Sequence, residues 1–219
     1  MSTRVVCISR SLAAGGEVIG RLVSQRLGFR YVDEEIVQKA AEHARVDAQA
    51  VAATEHPGPL IKRLIDSMAA VEGLIDPLVF TSGLPLRVYY QSAISPHAPV
   101  PGDYRALIRD TIREIADAGG AVIVAHAASL ALAGLQGVLR VLVTASPATR
   151  ARRLVAAAQA ENEDAATAAV AASDRERREY FRSFYGVRHE LPVHYDLVIN
   201  TDVLTPERAA GLILCIAQG

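Results

Sequence analysis

The residues best suited to chemistry form one run, Ser9-Arg10-Ser11-Leu12-Ala13-Ala14-Gly15-Gly16-Glu17-Val18. Small residues ahead of a helix let main-chain N–H groups converge on an anion, and the helix dipole adds to them. The chemistry that suits such a turn is the holding of a phosphate. The pattern G-x-x-x-x-G-K-[ST] does this with a lysine on the β/γ-phosphates and a hydroxyl on Mg²⁺. In that register this chain carries Gly16 and Glu17, so both key side chains are missing. The only lysines are Lys39 and Lys62, far along the chain from the turn. A cation for phosphate must therefore be an arginine, whose planar fork of donors fits the task.

Arg10 lies on the turn itself, Arg152 and Arg153 on a later helix, and Arg175, Arg178 and Arg182 on a still later one. Phosphoryl transfer is mostly positioning and charge neutralisation, so arginines from several elements can share the work. Glu17 either gives a carboxylate oxygen to Mg²⁺ or points outward as a first-turn acid.

The elements that position these residues are legible as buried strands alternating with helices. Arg4 to Ile8 is a β-branched run of the kind found in strands covered on both faces. Val18, Ile19, Leu22, Val23 and Leu27 recur at helical spacing, and Gly28 closes that helix. Phe29 to Asp33 reads as a second strand ending in an acid, and Glu34-Glu35 open the next helix. Asp103 caps a helix through Asp117, Ala121 to Ala125 is a third strand tipped by His126, and Ala127 to Leu132 is a short helix. Arg140 to Thr144 is a fourth strand, followed by a helix starting at Ser146-Pro147. Ser173-Asp174 is read as the cap of an arginine-dense helix, Asp196 to Asn200 as the last strand, and Thr205-Pro206 as the start of a closing helix. Strands and helices in alternation make an α/β fold, a parallel sheet with helices on both faces. Ligands of such sheets bind outside the carboxyl ends of the strands. Ser9-Arg10, Asp33, His126, Thr144-Ala145 and Asn200-Thr201 leave those ends.

Seven of the ten prolines fall between His56 and Gly102, in a segment that reads as an insertion. Leu60, Ile61, Leu64, Ile65, Met68, Val71 and Leu74 give it an amphipathic stripe, which packs on the parent domain, closes as a lid or forms a homodimer surface. Tyr89 near its end is a candidate to touch a base.

A net charge of −1 gives no general attraction to nucleic acid, and no apolar run approaches a membrane span. Two isolated cysteines, Cys7 and Cys215, and six scattered histidines point to neither a disulfide framework nor a structural metal. With no apolar leader behind Met1, a cytoplasmic location is the expectation.

Several segments together are similar to the cytidylate kinase-like proteins, P-loop relatives of bacterial cytidylate kinase. They are Ile8-Ser9-Arg10 with Gly15-Gly16, Leu27 to Ile36, Ala121 to Val124, Val141 to Arg153, Asp174 to Tyr185 and Tyr195 to Asp202. The resemblance covers nearly the whole chain and is weakest over residues 46–105. It implies a P-loop NTPase-type three-layer fold in one domain, 1–219, with a monophosphate-binding insertion at 46–105 and an arginine-rich lid at 160–188. It implies ATP and Mg²⁺ as cofactors, with Ser11, Leu12, Ala13, Ala14, Gly15, Gly16, Glu17, Val18 and Arg152 around the donor. Asp33, His126 and Tyr89 would face a CMP-like acceptor, and Arg10, Arg175, Arg178 and Arg182 would serve the transferring phosphoryl.

Against those roles stand plainer ones. Asp33 caps the next helix, His126 is a satisfied strand-end histidine, and Asp174, Glu176 and Glu179 pair the arginines into a solvated face. Where family loops carry Gly, and then Arg-Glu after the glycine pair, this chain has Ala13, and then Glu17-Val18. Where they carry Gly-Arg-Gly or Gly-Arg-Ala after the third strand, it has Ala125-His126-Ala127. The expected function is accordingly transfer of the ATP γ-phosphoryl to a nucleoside monophosphate. The alternatives are a degenerate nucleotide- or anion-binding regulator of the same fold and, against the overall charge, an RNA-binding arginine helix.

Overall fold

The computed structural model describes residues 3–33, 36, 38, 39, 101–124 and 127–219. Its element order is β1 (Val5–Arg10), α1 (Gly16–Leu27), β2 (Arg30–Val32), α2 (Pro101–Ala118), β3 (Ala121–Val124), α3 (Ala128–Ala131), β4 (Val138–Thr144), α4 (Pro147–Ala156), α5 (Glu163–Tyr185), β5 (Leu197–Asn200) and α6 (Pro206–Gln218). The five strands form one sheet in the order β2-β3-β1-β4-β5, every pair parallel. β1 is central, which places the turn after it mid-way along the carboxyl edge.

Alternation of side chains along the strands divides the core into two apolar layers. On one face Val6, Ile8, Val122, Val124, Val141 and Val143 pack with α1 and α6. On the other, Val5, Cys7, Ala121 and Ile123 pack with Ile108, Ile112 and Ile115 of α2 and with α3. A third, smaller cluster joins α4 and α5 through Ala151, Leu154, Ala166 and Val170. This is the α/β three-layer arrangement expected from the alternation of strand and helix.

The boundaries differ from the sequence expectation in three informative places. β1 runs on through Ser9 and Arg10, because its ladder to β4 continues (Ser9 beside Leu142, Arg10 beside Val143) after the ladder to β3 has ended at Ile8. β4 starts at Val138, paired with Val5, rather than at Arg140. Ser173-Asp174 is not a helix start: α5 is one 23-residue helix capped at Asn162, whose Oδ1 accepts the Ala165 N–H at 2.9 Å. Both Asp174 oxygens are taken by Arg150 of α4, at 2.8 and 2.7 Å, so its carboxylate does not compete for backbone amides and the helix passes through.

Most of the proline-rich insertion, Tyr89 within it, and His126 lie outside the described residues. Among the described residues no helix is long and apolar enough to cross a membrane.

Candidate phosphate-binding site

The turn between β1 and α1 is anchored by its side chains and bared by its backbone. Leu12 and Ala13 pack on the α4–α5 cluster, so these apolar residues of the turn serve as its foot. Ala13 (φ 58) and Gly15 (φ 84) are left-handed, a conformation costing an alanine about 1–2 kcal/mol. Three side chains hold the turn's carbonyls from behind. Arg177 Nη1 donates to Arg10 O at 2.9 Å, Arg153 Nη1 to Ala13 O at 3.2 Å, and Thr201 Oγ1 to Ala14 O at 2.9 Å. Ser11 N–H is taken by Val143 O, and Ala14 N–H by Ser11 O. Gly15 provides no side-chain cap, so the first N–H groups of α1, those of Gly16, Glu17 and Val18, have no intrahelical acceptor. Bare amides at a helix N-terminus are the donors an anion needs.

Arg10 crosses this end of the helix. A Cβ placed on Gly16 would lie 2.6 Å from Arg10 Cβ and 3.0 Å from Arg10 Cδ. Glycine at position 16 is thus what lets the arginine stem lie where a lysine side chain would leave the turn. Arg10 Nε sits 2.8 Å from Glu17 Oε1, an ion pair by distance. The N–H is not aligned on that oxygen, however, and Arg10 Nε is a buried donor with no hydrogen bond. The Glu17 carboxylate therefore faces Arg10 and caps none of the turn's amides.

A polar cluster beneath the turn fixes its origin. Ser9 Oγ accepts Arg177 Nη2 at 2.7 Å and lies 3.2 Å from the Tyr195 hydroxyl. Arg177 also grips both oxygens of Glu190 at 2.7 and 2.8 Å, and Tyr195 donates to the same carboxylate. Burial works against the Arg177 charge, but Glu190 outweighs it and the guanidinium holds its proton more tightly than usual. Burial, then Glu190, push the Tyr195 phenol up, so it stays a donor. Ser11 Oγ lies 3.3 Å from Thr144 Oγ1. At the ends of β4 and β5, Asp202 takes the Ser146 N–H and Oγ–H, both at 2.9 Å, and these bonds lower its carboxyl to about 2.

The other candidates fall as follows. Asp33 ends β2 at the same sheet edge and accepts the Tyr31 hydroxyl at 3.2 Å, while Arg21 stacks over the Tyr31 ring at 4.3 Å. Arg152 is exposed and bonded to Thr149 Oγ1; its neighbour Arg153 turns inward to the phosphate turn. Arg175, Arg178 and Arg182 are exposed on the outer face of α5, whereas Arg177 occupies the inner face with Phe181. Arg177, Glu190 and Tyr195 were not singled out as site residues from the sequence, and Thr201 only as a residue leaving a strand end. For Arg177 the signal was there: Val170, Asp174, Arg177 and Phe181 follow helical spacing, which puts Arg177 on the packed side. A separate hollow of about 80 Å³, lined by Arg4, Asp117 and Gln136 among others, lies at the opposite edge of the sheet, away from these residues.

The model of the cytidylate kinase-like family matches residues 5–203. The chain belongs to the cytidylate kinase-like family. An uncharacterized protein from Eubacterium ventriosum has a similar solved structure, with a TM-score of 0.63, 13% identity and 97% of each chain covered. Shikimate kinase from Bacteroides thetaiotaomicron also aligns, with a TM-score of 0.48, 10% identity and 97% of each chain covered. A shikimate kinase from Acinetobacter baumannii, solved with shikimate, gives 0.49 and 11% identity over 98% of this chain and 92% of that one. No curated protein matches the sequence. Within that family this chain carries no lysine in the turn after β1.

Proposed function

We propose that the protein transfers the γ-phosphoryl of ATP to a nucleoside monophosphate of the CMP kind. The observation that carries this reading is the uncapped N-terminus of α1 beside the buried, unbonded N–H of Arg10. The first amides of α1 lack an intrahelical acceptor and the Arg10 Nε–H is buried without an aligned one, and a phosphate oxygen supplies one to each. Main-chain amides between Leu12 and Val18, other than that of Ala14, would hold the donor phosphates, with Arg10 in place of the lysine. Bound Mg·ATP supplies the transferable phosphoryl group and part of its charge neutralisation. Magnesium takes one or two carboxylates and otherwise phosphate and water, so Glu17 would be a sufficient protein contribution. Asp33 faces the acceptor side, along the edge from the turn. Arg175, Arg178 and Arg182 approach a ligand only if α5 rolls, whereas Arg10 and the turn are already in place.

A second reading, nucleotide or anion binding without turnover, is favoured by the Arg10–Glu17 contact and by the outward face of those three arginines. A coupled assay with Mg·ATP over the common monophosphates separates the two. The kinase reading expects turnover with a pyrimidine monophosphate that falls about a hundredfold or more in Arg10→Met. Folded protein that binds nucleotide and turns over no acceptor leaves only the second reading.

A further inference from the structure

Three guanidinium groups converge on the turn, and they differ in what neutralises them. Arg10 is paired with Glu17, and Arg177 with both oxygens of Glu190. Among the described residues Arg153 is held by neutral oxygens only: Ala13 O at 3.2 Å, Thr201 Oγ1 at 3.0 Å and Thr201 O at 2.5 Å. Asp202, next in the chain to Thr201, is turned to Ser146. A half-buried cation without a counter-charge is costly unless an anion completes the set.

Its position gives that charge a direction. Arg153 grips the carbonyl of Ala13, the one non-glycine residue of the turn in the left-handed region, and Thr201 grips the next carbonyl. Both bonds occupy peptide oxygens of the turn; the N–H of the first peptide goes to Ser11 O, and that of the second belongs to Gly15, at the helix cap. Given that the turn is a phosphate seat, we infer that Arg153 is its electrostatic determinant: it supplies the net positive charge that Arg10 and Arg177, already paired, do not. The ligand class that fits is a polyphosphate, bound by amides in front and attracted by this guanidinium from behind. Arg153 is a positioning residue in this scheme, acting through Ala13 and through its field.

The test is titration of the full-length protein with inorganic pyrophosphate, by calorimetry, at low and raised salt. Arg153→Lys keeps the charge, and Arg153→Gln keeps a donor for Ala13 O while losing it. The inference expects Arg153→Gln to weaken pyrophosphate binding by about tenfold or more and to flatten its salt dependence, with Arg153→Lys staying near wild type. A purely structural role would weaken both variants alike and leave the salt slope unchanged. Either that result, or binding by Arg153→Gln equal to wild type, overturns the inference and leaves the seat standing. Failure of the folded wild type to bind pyrophosphate overturns the seat, and the inference with it.

Discussion

The pair Arg150–Asp174 joins the two helices from which Arg153 and Arg177 reach the turn, and it offers a sharp test of the structure. The Arg150 side chain is 5% exposed, its Nε bonds Ala145 O at 3.1 Å, and both its terminal nitrogens meet the Asp174 carboxylate. Removing one partner of a buried pair costs about 3–5 kcal/mol, since the other charge is stranded. The Asp174 side chain is 29% exposed, so water reaches the freed guanidinium and screening trims the expected cost to about 2–3 kcal/mol. The informative substitution is Asp174→Asn. As a helix cap asparagine serves as well as aspartate, so a capping role would cost next to nothing. As the anion for Arg150 it cannot be replaced. Urea unfolding of Asp174→Asn, Arg150→Met and the double variant, with m-values compared, measures the coupling. A coupling of about 1.5–2 kcal/mol is expected. Tolerance of asparagine with no coupling to Arg150 would refute a brace between α4 and α5.

Acid titration of stability is expected to show Asp202. Its folded carboxyl is lowered to about 2 from 3.8, so it stabilises the fold above the unfolded value and loses this as pH falls from about 4 to 2. Asp202→Asn should flatten that limb of the unfolding midpoint against pH. Asp196, lowered chiefly by its hydrogen bond from Arg140, acts in the same direction and remains in the variant. Cys7 is fully buried and its thiol is pushed up to about 12, whereas Cys215 is exposed. Iodoacetamide at pH 8 should therefore add one adduct to the native protein, at Cys215, and two in denaturant, as read by mass spectrometry. Modification of native Cys7 at a matching rate would contradict the packing of β1. Glu17→Gln leaves Arg10 without its counter-charge, so the affinity for free pyrophosphate should rise by about tenfold while magnesium adds less to nucleotide binding. Unchanged affinity would show that Glu17 does not compete for Arg10.

The fold was legible because the apolar runs at Val5, Ala121, Val141 and Leu197 each carry enough β-branched or aliphatic residues to be read without knowing their neighbours. Segment ends were less legible where a partner decides them. Ser9 and Arg10 look like turn residues, yet β4 supplies a ladder that keeps them in the strand. Asp174 looks like a cap until Arg150, 24 positions away, claims it. The phosphate turn was found from its small residues. Arg153 was named as a candidate cation and Thr201 as a strand-end residue, but their joint hold on the turn with Arg177 and Glu190 was not legible, because these residues converge through tertiary packing and share no spacing with one another. The family resemblance pointed to Arg175, Arg178 and Arg182 on α5, whereas the residue of that helix bonded to the turn is Arg177.

The measurement closest to the central claim follows the backbone amides of Leu12 to Val18 by ¹⁵N nuclear magnetic resonance, while a magnesium complex of a non-hydrolysable ATP analogue is added. The expected result is that the largest shifts fall on Gly15, Gly16, Glu17 and Val18, with the Arg10 Nε–H resonance moving alongside them. Shifts confined to other strand ends, with these amides unmoved at saturation, would contradict the claim that this turn holds the phosphate.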